Sequence, residues 1–216
     1  MSSFMARLRD RIRNVGQPVA LFFGRIGLSP NGLTLLGFAI TVAGAILAAA
    51  GLWLAAAFVV FIGGAFDMFD GALARATGKA SNVGAFLDSV FDRWGEAVVY
   101  IGIIAGCLFA GDRFGAGLAA FAMASAFMVS YTRARAESLG FAPGKGMAAI
   151  GLAPREIRLV ILSLGLLLAG LTGGVQGSDG SRPLSFALGL IGILATITVI
   201  QRIIHVTNQA ATSDGK

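Results

Sequence analysis

Apolar residues dominate six segments separated by short polar or glycine-bearing stretches, the first of them close to the about twenty residues a helix needs to cross a bilayer. The first block starts at Leu28-Ser29-Pro30-Asn31, with Ser29 placed to cap and Pro30 to occupy the first helical position, and runs to about Ala50 before Gly51. The second begins near Trp53, is apolar to Phe66 and then turns acidic; its Gly63-Gly64 pair would let a neighbour approach closely or permit a bend. Thr77 to Val83 is turn-rich. A third helix follows from about Gly84 to Ala110, polar to Glu96 and apolar after it, so the second and third form an antiparallel hairpin. Asp112-Arg113 precedes a fourth helix over about Ala116 to Glu137. Residues 139–154 read as a loop. A fifth helix opens at Pro154-Arg155 and is apolar to about Thr172, and a sixth spans about Leu184 to His205.

Ahead of these, Phe4, Leu8, Ile12 and Val15 recur at helical spacing, with Arg7, Arg9, Arg11 and Arg13 on other faces. That is the pattern of an amphipathic helix lying in the headgroup layer, before a bend at Gln17-Pro18. The expected architecture is an all-α integral membrane protein. It has an amphipathic juxtamembrane segment (1–27), a six-helix domain (28–208) and a polar tail (209–216).

Composition agrees with this class. Of 216 residues 56% are hydrophobic and only 13% charged, against about a quarter in soluble domains. The 31 glycines suit closely packed membrane helices, and, with the resemblance described below, suggest a homodimer. The single cysteine, Cys107, cannot form an internal disulfide and reads as a packing residue; no cleavable signal peptide is apparent. The net charge of +6 would permit a nucleic-acid partner, but its placement argues against one. With six crossings, all of the 17 Lys/Arg except Arg113 and Arg182 fall on the side of the termini. The positive-inside rule makes that side cytoplasmic and the plasma membrane the expected location.

Four carboxylates interrupt the apolar pattern: Asp67 and Asp70 at i,i+3, Asp88 and Asp92 at i,i+4, each pair on one helix face. Carboxylates at such a place are costly unless neutralised, which marks a functional site. Oxygen ligands of this kind suit Mg²⁺ or Mn²⁺, and a metal pair at a membrane surface suits a phosphate or pyrophosphate substrate. A carboxylate not consumed by metal can take the proton of an attacking hydroxyl. Gly71, Ala74 and Gly84 leave room for a bulky group, and Arg75 could pair with an Asp or hold a phosphate.

The run Asp67-x2-Asp70-Gly71-x2-Ala74-Arg75-x8-Gly84-x3-Asp88-x3-Asp92 resembles, without a departure, the signature of the CDP-alcohol phosphotransferase family. Length and helix plan are similar too, so the resemblance covers essentially the whole chain. It implies a membrane enzyme that binds a CDP-linked donor, usually CDP-diacylglycerol, whose β-phosphate is attacked by an acceptor hydroxyl while CMP leaves. It further implies Asp67, Asp70 and Asp88 as ligands of two divalent ions, and Asp92 as both ligand and general base. Gly71, Ala74, Arg75 and Gly84 would surround the cytidine diphosphate, with Ser81 nearby. Asn31, in a segment that includes Thr34 and is similar to the family's first helix start, would bind there too or serve the helix start alone.

Arg133, Arg135, Arg155, Arg158 and Arg202 fall at the ends of the last three helices on the cytoplasmic side. Topology alone accounts for some of them. The stretches Ser130-Tyr-Thr-Arg-Ala-Arg-Ala-Glu137, Pro154-Arg-Glu-Ile-Arg-Leu159 and Gln201-Arg202 are similar to phosphatidylinositol-phosphate synthases of bacteria and their archaeal relatives. That resemblance implies inositol phosphate as acceptor, with Arg133, Arg155, Arg158 and Arg202 on its phosphate. Two departures stand out, Arg133 where Lys is frequent and no Pro between the two arginines of the fifth helix. Glycerol 3-phosphate or an uncharged alcohol such as serine are the alternative acceptors, and an ion channel or transporter the alternative class; no mid-membrane acidic group supports the latter. Glu96 extends the acidic face or pairs with an arginine such as Arg93, Lys145 reads as solvated, and His205 as interfacial.

Overall fold

The computed structural model describes residues 22–25, 27–141, 150–173 and 182–214, with the side chains of Asp67, Met68 and residues 212–214 excepted. The expected amphipathic helix over 3–15, Lys145 and most of the loop before the sixth helix lie outside the described residues. Those described are all-helical, with no strand: α1 (Pro30–Ala49), α2 (Trp53–Ala76), α3 (Asn82–Phe109), α4 (Arg113–Ser138), α5 (Arg155–Leu171) and α6 (Arg182–Asp214). Four of them, α1, α2, α4 and α6, are long and apolar enough to cross a membrane. α5, at 17 residues, is about 25 Å long, and α3 carries Asp88, Asp92 and Arg93 in its first half and Glu96 just past its middle. An all-helical chain with spans of this kind is a membrane protein.

Local chemistry sets the helix ends. Ser29 Oγ accepts from Gly32 N at 3.1 Å at the start of α1, as its sequence position predicts. Ser81 Oγ accepts from Gly84 N at 3.0 Å, so α3 begins at Asn82 rather than Gly84. Asp112 Oδ1 accepts from Gly115 N at 2.8 Å and moves the start of α4 back to Arg113. α2 closes at Gly78, whose φ of 66° lets Lys79 N reach back to Ala74 O at 3.0 Å. α6 starts at Arg182, with Pro183 tolerated in its first turn, and continues past His205 to Asp214. No Gly or Pro interrupts residues 206–214, so the polar segment that follows His205 stays helical.

The described residues group into two compact units. One comprises those through Gly44 with Val59–Val99; the other comprises Ala45–Phe58 with those from Tyr100 onward. In the first, α1 packs on both α2 and α3: Gly63 lies against Thr41, and the Phe38 and Phe91 rings meet at a tilt, their centroids 5.1 Å apart. A core of Leu33 and Leu73 is closed by Phe23, Leu28, Phe66, Phe69 and Ala72. In the second, α4 and α5 both pack on α6. Gly102 and Gly106 of α3 meet the backbone of Ala45 and Ala48, an approach that a Cβ would block.

Candidate functional site

In the first unit α1 serves as a ruler for its neighbours. Thr34 meets Asp70 and Thr41 meets Gly63, so α2 runs antiparallel to α1; Asn31 meets Gly84 and Thr41 meets Gly95, so α3 runs parallel to it. The expected antiparallel hairpin of α2 and α3 follows. It also sets the level of each acidic residue's main chain along α1. Asp70 lies opposite Thr34 and Asp88 opposite about residue 35, while Asp67 and Asp92 come opposite about residues 37 and 38. The four acids therefore stand on two levels, each with one residue from α2 and one from α3.

Asp70 is buried, with 4% of its surface exposed. Its Oδ2 accepts from Thr34 Oγ1 at 2.5 Å and its Oδ1 from the Gly71 amide. Thr34 has a single hydroxyl proton, and the other acceptor within reach, Pro30 O, is farther at 3.2 Å. The proton therefore goes to Asp70, which is held as an oriented acceptor. Arg93 donates to Asp92 at 3.4 Å and to Glu96 at 3.2 Å, so Glu96 takes the arginine partner that the sequence allowed it. The Asp67 side chain lies outside the described residues, and among those described no three His, Cys, Asp or Glu side chains gather into an ion-holding group. The donor set itself, hard oxygens with buried Asp70 fixed by a second residue, fits a hard divalent cation.

The residues expected around the nucleotide form two groups. A Cβ on Gly84 would meet Ser81 Oγ at 3.1 Å and Asn31 Oδ1 at 3.4 Å, so these three share one polar corner at the start of α3. Arg75, exposed, lies over Gly71, where a Cβ would meet its Nη1 at 3.3 Å; half-buried Ala74 precedes it on the same helix. Ser81 also caps α3, so its position has a structural cause as well.

The second unit holds the arginines expected to bind the acceptor. Arg133 is exposed and pairs with Glu137 at 3.0 Å, and Arg155 is half-buried at the start of α5. Arg158 and Arg202 are buried, with 2% and 5% exposed. Arg158 Nη1 donates to Ala153 O at 2.7 Å; Arg202 Nε donates to Ile150 O at 3.0 Å and its Nη1 to Val129 O. Arg202 lies within the fields of Arg133 and Arg158, with Glu137 as the opposing charge. Arginines of three helices grouped in this way suit an anion. Sequence reading did not anticipate these carbonyl partners, nor Thr34 as the partner of Asp70. Only Thr34's place in the first helix start hinted at it.

The CDP-alcohol phosphatidyltransferase family model matches residues 27–205. The chain is 34% identical to the archaetidylinositol phosphate synthase of Pyrococcus horikoshii, over 92% of this chain and 94% of that one. It is 36% identical to the phosphatidylinositol phosphate synthase of Streptomyces avermitilis, over 91% and 80%. Among solved structures it is similar to the phosphatidylinositol phosphate synthase of Mycobacterium tuberculosis. With CDP-DAG bound, that structure superposes with a TM-score of 0.76 at 32% identity, covering 89% of this chain and 94% of that one. Its complex with manganese and citrate gives 0.76 at 33%, covering 88% of each. A match spanning the acid motif, the arginines and the helices that carry both leads to one assignment: this chain belongs to the CDP-alcohol phosphatidyltransferase family and is a transferase.

Proposed function

We propose that this protein transfers the phosphatidyl group of CDP-diacylglycerol, or the equivalent group of a similar CDP-linked lipid, to inositol phosphate. The products are a phosphatidylinositol phosphate and CMP. The reaction class rests on membership of the family. The observation that carries the choice of acceptor is the pair of buried guanidiniums, Arg158 and Arg202, held on the carbonyls of Ala153, Ile150 and Val129, the last one turn before Arg133. An acceptor with its own phosphate supplies the dianion such a group calls for.

Asp67, Asp70, Asp88 and Asp92 would hold two Mg²⁺ or Mn²⁺ ions, as the manganese complex of the mycobacterial synthase encourages. When bound, such ions neutralise charge on the pyrophosphate and on the leaving CMP. The chain's own residues do the rest. Asn31, Gly71, Ala74, Arg75, Ser81 and Gly84 bind the cytidine diphosphate. Asp92, whose side chain is 15% exposed, takes the proton of the acceptor hydroxyl as its oxygen bonds to the β-phosphorus and the bond to CMP breaks. Arg133, Arg155, Arg158 and Arg202 bind the acceptor phosphate. The finer architecture belongs to the same reading. It comprises six spans and an N-terminal amphipathic helix, a plasma-membrane homodimer, and both termini and the site on the cytoplasmic side. The lysine and arginine distribution supports it.

The test is CMP release by the purified protein in detergent. The donor is CDP-diacylglycerol or a CDP-linked ether lipid, the metal Mg²⁺ or Mn²⁺, and the acceptors inositol 1-phosphate, glycerol 3-phosphate, serine and free inositol. Metal-dependent release with inositol 1-phosphate and not with free inositol is expected. Release with serine or free inositol instead would overturn the acceptor assignment, and no release with any acceptor from folded protein would overturn the reaction.

A further inference from the structure

Thr198, one helical turn before Arg202 on α6, is fully buried. Its hydroxyl donates to Leu194 O at 2.8 Å and accepts from Leu152 N at 3.0 Å and Ala153 N at 3.1 Å. A hydroxyl has one proton and two lone pairs, so all of its capacity is used. A threonine buried in a helix is satisfied by the first of these bonds alone. The other two fasten a non-helical stretch 45 and 46 residues away in sequence. Gly151 completes the contact: its φ is 126°, and a Cβ there would overlap the Thr198 side chain.

The fastened stretch is the one whose carbonyls hold the buried arginines. Ile150 O receives Arg202 Nε and Ala153 O receives Arg158 Nη1, while Arg202 Nη1 also reaches Val129 O, one turn before Arg133 on α4. Val129, Ala153 and Ala195 form one apolar cluster beneath this network. The segments bearing all four arginines are thus joined through residues 150–153. Of the five N–H groups of Arg202, two are spent on carbonyls. The remaining three lie on its Nη1 and Nη2, the end-on fork that fits two phosphate oxygens, and among the described residues none of them has an acceptor.

The structure assigns to Thr198 the role of a positioning residue for the acceptor: by anchoring residues 150–153 it fixes the carbonyls that aim the Arg158 and Arg202 guanidiniums at the acceptor phosphate. This rests on the reading of those arginines given above. An unanchored stretch would leave the guanidiniums chemically intact and misaimed, so the loss falls on acceptor binding rather than on the donor or the proton transfer.

The experiment compares wild type, Thr198→Val and Thr198→Ser in detergent. It measures KM for inositol 1-phosphate, KM for CDP-diacylglycerol, kcat, and hydrogen exchange at the amides of Leu152 and Ala153. Thr198→Val is expected to raise the acceptor KM about tenfold, to leave the donor KM and kcat within about threefold, and to speed exchange at both amides; each figure is an order of magnitude for the loss of oriented charged hydrogen bonds. Thr198→Ser, which keeps the hydroxyl, is expected to restore all of these. Should Thr198→Val fail to fold, Gly151→Ala displaces the same contact and is read the same way. Faster exchange with an unchanged acceptor KM, or equal losses for donor and acceptor, would overturn the assignment. A wild type that responds to no phosphorylated acceptor would remove the underlying reading and this inference with it, a result visible before any variant is made.

Discussion

Asp70 takes its orientation from Thr34, a side chain on another helix, and from the Gly71 amide beside it, whereas Arg158 and Arg202 are held by main-chain carbonyls, two of them in the non-helical stretch 150–153 and one, Val129 O, on α4. The acids lie on two helices at spacings that a helix turns into shared faces, so their geometry is a property of α2 and α3 themselves. The buried arginines also stand on helices, α5 and α6, but no spacing along one helix aims their long side chains. Their aim depends on main-chain carbonyls of residues 129, 150 and 153, groups that every amino acid carries and no residue type announces. In the proposed reading, charge placement for the donor rests on helix spacing, and that for the acceptor rests in large part on the irregular segment 150–153, a kind of segment in which sequence change is better tolerated.

The comparison breaks most sharply at Asp92. Asp92→Asn keeps the shape of the acid and removes its basicity, and kcat for CMP release is expected to fall by about 10³-fold, within the usual range for losing a general base. Its unfolding temperature should change little. A fall of less than about tenfold would take the proton-accepting role from Asp92.

Arg202→Met and Arg133→Gln test whether the two kinds of arginine differ. The first strips hydrogen bonds from the carbonyls of Ile150 and Val129 and is expected to cost about 2 kcal/mol of stability or more. The second breaks only an exposed pair with Glu137 and should cost less than about 1 kcal/mol. Equal losses in thermal unfolding in detergent would erase the distinction.

Thr34→Val removes the hydroxyl that orients Asp70 and preserves the shape of the side chain. Metal affinity, read as the Mn²⁺ concentration that half-maximally raises the unfolding temperature, is expected to weaken about 10-fold or more. An unchanged midpoint would make the Thr34–Asp70 bond irrelevant to metal binding. The smallest effect belongs to Ser81. Ser81→Ala should lower stability by about 1 kcal/mol through loss of the cap on α3, and Ser81→Gly by only a few tenths. A rise in the CDP-diacylglycerol KM in both variants would add nucleotide binding to the capping role.

The same contrast explains what could be read from the sequence. Helix limits were legible within a few residues because Ser29, Gly51, Gly78 and Asp112 act on their nearest neighbours in the chain. The continuation of α6 to Asp214 was missed because polarity suggested a tail while the absence of Gly and Pro allowed a helix. That α2 and α3 form one antiparallel hairpin was legible from the turn-rich Thr77 to Val83 between them. The Thr34–Asp70 bond spans 36 residues, and the Arg202–Val129 bond 73. No local pattern encodes either one. An arginine at a helix end looks alike whether it serves topology, a carbonyl or a substrate.

The most direct test of the account is the preference for inositol 1-phosphate over free inositol, measured as a ratio of kcat/KM in wild type and in the double variant Arg133→Gln, Arg155→Gln. Neither of these side chains is buried, so the fold should survive the change. The account predicts that wild type favours the phosphorylated acceptor by about 10³-fold or more and that the double variant loses about 10²-fold of that preference, with the donor KM unchanged, as two charge-assisted phosphate contacts allow. A preference that survives intact in the double variant, or equal use of the two acceptors by wild type, would contradict it.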